Sequence, residues 1–424
     1  MARLSTLDLF AESATVEDGG LSIGGVEATA LAEEFGTPLL VYCEETLLAR
    51  ARAYRQADSL VVYSVKAFPS VPVLRLFARE GLGADVSTLG ELAYARAAGI
   101  PGERLVVHGN NKSDEELHAA AEAGAGFVVL DALDEVERAA RAGVQRVLVR
   151  VTPGIDAETH DAIKTGHHGS KFGLPPRQAL EALRRIQESG LDAAGLHVHI
   201  GSQLLETSGA RMTIDWLAAF AAECRADLGW TPDVVNLGGG LGIQYVVDEP
   251  APSPQEFVQT LLAELERAWR LHELPQPSIV LEPGRSLVGP AGCTLYRVGV
   301  VKQASEATTY VAVDGGMSDN PRPQLYGARY SALLANRAAE DPTGSFAVCV
   351  KHCESGDVLI ERVALPEPRR DDLLAVPGTG AYTLAMGSNY NALPRPAAVI
   401  VANGKAQLLR RRETLEDLLR LEVD

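Results

Sequence analysis

Eight short runs rich in β-branched residues, each followed by an Ala-, Leu-, Glu- and Arg-rich stretch, occupy the chain between about residue 60 and residue 283. This alternation is the mark of βα units and of a parallel sheet. The runs are Leu60–Val65, Gly81–Val86, Arg104–His108, Gly126–Asp131, Arg146–Val151, Gly195–Ile200, Asp233–Gly238 and Ser278–Glu282. Eight units over a span close to the ~250 residues usual for the fold predict a (β/α)8 barrel of the TIM type. The competing open doubly wound sheet wants GxGxxG after its first strand. Here Gly238-Gly239-Gly240-Leu241-Gly242 comes late, and Ile243 stands where the fingerprint needs glycine, which disfavours a dinucleotide site.

Beyond Ser286 the pattern changes. Thr294–Gln303, Thr309–Asp314, Phe346–His352, Leu373–Gly380 and Ala397–Gly404 are strand-like and separated by turn-rich loops, which reads as an antiparallel β-sandwich or β-barrel domain. The stretch Leu21–Ala28 also reads as a strand needing a neighbour, and it is expected to join that later sheet. The division expected is a barrel over 37–285 and a β domain made of 1–36 and 286–424. A chain of 424 residues has room for both, since one domain takes roughly 100–200 residues.

Composition narrows the partners. Lys+Arg 39 against Asp+Glu 56 leaves a net charge of −17, which repels phosphate backbones, so nucleic acid is not expected. No stretch approaches the ~18 apolar residues of a membrane span, and the acids Asp8, Glu12, Glu17 and Asp18 interrupt any signal-like segment near the start. A cytoplasmic protein is expected. Cys43, Cys224, Cys293, Cys349 and Cys353 are widely spaced and odd in number, which suits neither a disulfide framework nor a zinc site.

In such barrels chemistry lies at the C-terminal ends of the strands. The polar residues there are Lys66, Asp85 with Ser87, Asn110, Asp131, Thr152, His197 with His199, Gly238–Gly240, and Glu282 with Arg285. Lys66 by itself reads as a lysine snorkelling to solvent. In a desolvated mouth it would instead be an amine able to attack carbonyls. The three glycines are either a tight turn or a nest of N–H groups for a phosphate, and Arg285 on the adjacent strand favours the nest. Glu282, facing the mouth, needs a cationic or N–H partner.

His197 and His199 share a face of their strand and admit three readings: a metal pair, core histidines, or a ring stacked on a flat cofactor. Later strand ends offer glycine and glutamate rather than further imidazoles, so no metal is expected. An imine-forming amine, a phosphate nest with arginine, a carboxylate for a ring nitrogen and a histidine for a ring face together describe pyridoxal 5′-phosphate.

Longer motifs then carry a resemblance. They are YSVKA (Tyr63–Ala67), GADVSTLGEL (Gly83–Leu92), HGNNKSDEEL (His108–Leu117), the stretch Val151–Gly173, HVHIGSQ (His197–Gln203), NLGGGLG (Asn236–Gly242), LEPGR (Leu281–Arg285), VDGGMSDNPRPQLY (Val313–Tyr326), HCESGD (His352–Asp357) and GAYTLAMGSNYN (Gly380–Asn391). Over nearly its whole length the chain resembles the diaminopimelate decarboxylases, pyridoxal-phosphate enzymes that pair an alanine-racemase-like barrel with a β domain.

The resemblance implies that Lys66 holds the cofactor covalently and that His199 stacks on its ring. Asp85, Ser202, Gly238, Gly239, Gly240, Glu282, Pro283, Gly284, Arg285 and Tyr382 would bind the rest. It further implies Arg285, Arg322, Tyr326, Glu354 and Tyr382 as substrate contacts and Cys353 as proton donor. The implied partners are a small amino-acid substrate and a second copy of the chain, in a homodimer with shared active sites. The implied reaction is loss of carbon dioxide from meso-2,6-diaminopimelate to give L-lysine. Another basic or carrier-bound amino acid is the alternative substrate, and a silent cofactor-binding relative is a third reading. One departure stands out: Phe68 occupies a position where many relatives have Asn.

Overall fold

In the computed structural model the βα alternation closes on itself. The structure describes residues 5–55, 59–153, 171–199 and 201–423. Residues 154–170 of the motif Val151–Gly173, and Ile200 of the sixth run, therefore lie outside the described residues. Eight described strands form the barrel, Ser59–Ser64, Gly83–Val86, Leu105–Val107, Phe127–Leu130, Arg146–Arg150, Asp192–His197, Val234–Asn236 and Ser278–Leu281. Every neighbouring pair is parallel, and the last strand returns to the first through Ile279 opposite Ser59. The (β/α)8 architecture expected from the alternation is what the chain adopts.

Local chemistry explains where the helices begin and end. Ser113 and Ser253 each accept the backbone N–H three residues on, and Glu116 and Glu256 return the bond to the caps, which satisfies N–H groups that a helix start leaves orphaned. Gly99, Gly143, Gly190 and Gly229 close four helices in the left-handed conformation, where a side chain would be strained. Inside the barrel Val62, Val106, Phe127, Val129, Leu148, Ala194, Val234 and Val280 pack into one cluster. The cylinder is thus filled by side chains, and its polar groups are displaced to the strand ends.

The described chain divides into two compact units, Arg50–Gly242 with Ala251–Ser286, and Met1–Ala49 with Ile243–Pro250 and Leu287–Asp424. The second unit is built on the long strand Gly292–Gln303, which pairs with Leu39–Cys43, Thr309–Val313 and Leu373–Pro377. The expected strands are present, with three differences.

The sheet is mixed rather than wholly antiparallel, because Leu39–Cys43 runs parallel to Ala397–Ala402 and Thr309–Val313 runs parallel to Gly344–Cys349. Leu39–Cys43, expected within the barrel segment, is an interior strand of this sheet. All five of its residues are buried, so the run has no polar face to distinguish it from a barrel strand. Finally, Gly20–Ile23 pairs with Thr15–Glu17 and Val26–Glu27 in a small sheet of its own. Leu21 and Ile23 nonetheless pack into the same core as Val41, Leu295 and Val399, so burial is met by face packing rather than by joining the ladder.

One barrel glycine shows how tightly the strands pack. A Cβ on Gly195 would overlap the carbonyl oxygen of Val234 on the neighbouring strand, and backbone cannot retreat as a flexible side chain can. Gly195→Ala is expected to destabilise the barrel by about 1–3 kcal/mol or more, read as a lower calorimetric melting temperature. An unchanged melting temperature would contradict this packing.

Candidate active site

The first barrel strand ends at Ser64 and continues into a short helical turn, Val65–Ala67. Val65 and Ala67 are buried and fix the turn, while the Lys66 side chain between them is 53% exposed. This amine is therefore delivered to an open mouth rather than walled into a desolvated one. Its nearest acid is Asp85, whose Oδ2 lies 3.9 Å from Nζ. Asp85 is buried and accepts a 2.5 Å hydrogen bond from Ser64 Oγ, while its Oδ1 has no hydrogen-bond partner and stands 3.8 Å from His108 Nε2.

Glu282 is the centre of the arrangement. It leaves the eighth strand with 6% exposure, and Oε1 accepts from Asn236 Nδ2 at 2.6 Å and pairs with His108 Nε2 at 2.6 Å. His197 Nε2 approaches Oε2 at 3.5 Å without the alignment of a hydrogen bond, and its ring meets that of His108 edge-on, centroids 4.8 Å apart. Burial alone would raise the Glu282 carboxyl, but the imidazoles of His108 and His197 outweigh it and hold the group well below the usual carboxylate range. His197, whose burial dominates, is pushed down to about 4 despite the same carboxylate.

His108, His197 and Glu282 present one ligand-type atom each within 4.8 Å of one another. In this structure their polar atoms are turned upon each other, with Glu282 Oε1 taken up by two short contacts. The trio reads as a charge network closed on its own members.

His199 follows the sixth strand, half-buried, and burial reinforced by Arg150 and Lys66 lowers it to about 3. It is a neutral ring at neutral pH. The glycine turn lies directly against it. A Cβ on Gly238 would sit 2.9 Å from His199 Nδ1, one on Gly239 would overlap the Glu282 carbonyl oxygen, and one on Gly240 would come 2.5 Å from the Gly201 carbonyl oxygen. The Gly238 N–H is already committed to Asn236 Oδ1 at 2.9 Å. Arg285 reaches Ser202 Oγ at 3.5 Å, and Pro283 is buried with its carbonyl accepting from the Ser64 N–H at 3.1 Å. Gly284 is buried beside it. Phe68, also buried, receives Tyr63 Oη on its carbonyl at 3.0 Å.

Three contributors were not singled out from the sequence. His108 and Asn236 are the last polar residues of their runs, which is the signal that could have found them. Lys112 gave no signal, since a lysine in a turn reads as solvated. Its Nζ is buried and bonds Gly109 O at 2.5 Å, Val129 O at 2.7 Å and Glu135 at 3.0 Å. Glu135 in turn accepts the Asp131 N–H at 2.7 Å, so a buried ion pair ties together the loops that follow the third and fourth strands.

The remaining expected residues lie in the second unit. Arg322 is buried, with its guanidinium 4.6 Å from the Tyr245 ring centroid and Nη1 bonding Tyr330 Oη at 2.5 Å. Tyr326, one turn on, is exposed, and Tyr382 has φ +57. Cys353 and Glu354 belong to an exposed tetrapeptide ending at Gly356, flanked by buried His352 and Asp357 whose Nδ1 and Oδ2 are 2.6 Å apart. The Cys353 N–H donates to Asn391 Oδ1 at 2.9 Å, and Asp357 accepts from Gln324 Nε2 at 3.0 Å. The loop that carries the thiol is thus pinned at both ends and presented outward.

Comparison with known proteins finds relatives over nearly the whole chain. A family model described as pyridoxal-dependent decarboxylase, pyridoxal binding domain, matches residues 44–289. The diaminopimelate decarboxylase of Actinosynnema pretiosum subsp. auranticum is 47% identical over 416 residues, 96% of this chain and 94% of that protein. That of Halalkalibacterium halodurans is 43% identical over 419 residues, 96% and 95%. Among solved structures, diaminopimelate decarboxylase from M. jannaschii in complex with L-lysine superposes with a TM-score of 0.91 at 31% identity, covering 97% of this chain and 98% of that one.

His197 yields a test that needs no ligand. It is held neutral in the folded protein down to about 4 but takes a proton near 6.5 when unfolded. Stability present above pH 6.5 is therefore lost as pH falls towards 4, by up to about 1.4 kcal/mol per pH unit from one such group. Urea unfolding of the apoprotein is expected to show a smaller loss between pH 7 and pH 5 in His197→Gln than in the parent chain. Equal losses would contradict the burial of a neutral ring.

Proposed function

The chain belongs to the pyridoxal-dependent decarboxylases, and from that premise we propose that it removes one carboxyl group of meso-2,6-diaminopimelate to give L-lysine and carbon dioxide. The cofactor is pyridoxal 5′-phosphate. The observation that carries the reading is Glu282, a buried carboxylate kept ionised among His108, His197 and Asn236 at the mouth that also bears Lys66. Relatives bearing the name of this activity, similar over 96% of the chain, favour this substrate over another basic or carrier-bound amino acid.

The described residues of the barrel fit the cofactor. An anionic acceptor suits a ring N–H, the glycine turn lies so close to His199 that a Cβ on Gly238 would crowd its ring, and buried Asp85 lies 3.9 Å from the amine through Oδ2 while its Oδ1 has no hydrogen-bond partner. When bound, pyridoxal 5′-phosphate supplies an electron sink for the bond between the α-carbon and its carboxylate. Lys66 is the amine that would hold it covalently, and Glu282 would accept its ring N–H. His199 would lie on the ring face, and Asp85 would sit beside the amine. Ser202, Gly238, Gly239, Gly240, Pro283, Gly284, Arg285 and Tyr382 would hold the remainder.

Recognition of a diamino dicarboxylic acid needs a cation for the far carboxylate and an anion for the far ammonium. Arg322 supplies the first, held rigid by Tyr245 and Tyr330, and Glu354 supplies the second, with Arg285, Tyr326 and Tyr382 completing the contacts. Cys353 would deliver the proton that replaces the lost carboxyl group. The outward presentation of Cys353 and Glu354 supports a homodimer in which this loop serves the partner's site. No described helix is long and apolar enough to cross a membrane, and all five cysteines are unpaired, which supports a cytoplasmic enzyme.

Carbon dioxide release measured with meso-diaminopimelate, lysine, ornithine and arginine is expected only with the first. Equal or faster turnover of a basic amino acid lacking the second carboxylate would overturn the assignment. Arg322→Ala is expected to lower kcat/KM for diaminopimelate by at least about a hundredfold, with Arg322→Lys intermediate because a charge remains but the bidentate fork does not. An unchanged kcat/KM for Arg322→Ala would place the substrate's far carboxylate elsewhere.

A further inference from the structure

The contact that most distinguishes this barrel mouth is the 2.6 Å pairing of His108 Nε2 with Glu282 Oε1, both side chains more than nine-tenths buried. We propose that His108 is a positioning residue that donates to Glu282 and keeps that carboxylate ionised and aimed at the ring nitrogen of the cofactor. The inference rests on the reading of Glu282 as the acceptor for that nitrogen.

The geometry supports donation in this sense. An ionised carboxylate offers only acceptors, so the short contact requires the proton on Nε2 of the imidazole. Asn236 donates to the same oxygen at 2.6 Å. Oε1 is thereby saturated and Oε2 is left as the atom available to a ring N–H, with only the unaligned His197 Nε2 at 3.5 Å nearby. His108 therefore selects which oxygen faces the cofactor as well as sustaining its charge.

The position of His108 is fixed from behind. Its own N–H bonds Val86 O at 2.8 Å, and the next residue, Gly109, is held by the buried Lys112–Glu135 pair. A Cβ on Gly109, at φ +130, would crowd Lys112 Cγ at 3.1 Å, so the backbone there has little freedom to swing the ring away. The other charged or titratable groups bearing on the pair are Asp85 at 3.8 Å from Nε2, His197, Glu91 behind Asp85, and Lys66, Arg150 and His199 around the mouth. Burial of Glu282 opposes its ionisation, and the two imidazoles reverse the balance. Without His108 the carboxylate is expected to take a proton at a higher pH than in the parent chain.

The test is direct titration of apoenzyme with pyridoxal 5′-phosphate between about pH 5.5 and pH 8, followed by cofactor absorbance, for the parent chain, His108→Leu and His108→Gln. Circular dichroism confirms that each is folded. His108→Leu is expected to bind the cofactor about tenfold or more weakly, with the deficit widening as pH falls. His108→Gln, whose amide reaches as far as Nε2, is expected to return to within about threefold of the parent.

Should the leucine variant not fold, His108→Asn, whose amide falls short of Glu282, takes its place with the same expectation. A folded leucine or asparagine variant that matches the parent at every pH overturns the inference. So does a glutamine variant as weak as leucine, which would make the role one of packing alone. A parent chain that takes up no cofactor overturns the reading of Glu282 itself, an outcome separate from any difference among the variants.

Discussion

A carboxylate cannot remain charged inside a protein unless other groups replace the water it has lost. Glu282 meets that condition with Asn236 and two imidazoles, drawn from the ends of three other barrel strands. Each partner depends on the closure of the barrel, because only a closed parallel cylinder brings the ends of its third, sixth, seventh and eighth strands to one point. The chemistry assigned to the protein depends on the same closure. An anion beside a ring nitrogen favours its protonated form, and the electron sink is strongest when that nitrogen is protonated.

The scaffold around this charge is built for stiffness. Glycine at 195 and at 238–240 allows backbones to approach where any side chain would overlap a carbonyl or a ring. Lys112 and Glu135 tie two loops together behind the site with an ion pair whose side chains are 1% and 2% exposed. A buried pair of this kind is weak evidence for net stability, but loss of one partner strands the other, so it fixes geometry firmly. In the second unit His352 and Asp357 play a comparable part, holding the outward tetrapeptide that carries Cys353 and Glu354.

The barrel was legible because its signal is redundant: eight β-branched runs with helical stretches between them leave few alternatives. Leu39–Cys43 was misplaced for the opposite reason, since a strand buried on both faces has the same pattern in either sheet. At the site, Lys66, His199, the glycines and Glu282 were legible as polar or small residues at strand ends. His108 carries the same strand-end signal, but Asn110, two residues on, stands in its place among the strand-end polar residues. Lys112 was hidden because a sequence does not show the three acceptors that surround its amine. For Lys66 the sequence leaves open a solvated lysine or one in a desolvated mouth, and the turn Val65–Ala67 leaves its side chain 53% exposed, which depends on a backbone detail that no composition encodes.

The central claim is that a buried anion faces the pyridine nitrogen of the cofactor. It is tested most directly by reconstituting the chain with 15N-labelled pyridoxal 5′-phosphate and reading the chemical shift of the ring nitrogen across about pH 6 to pH 8. An ionised Glu282 facing that nitrogen holds it at the pyridinium shift throughout. A nitrogen that is neutral across this range would mean that Glu282 does not act on it, and would contradict the account.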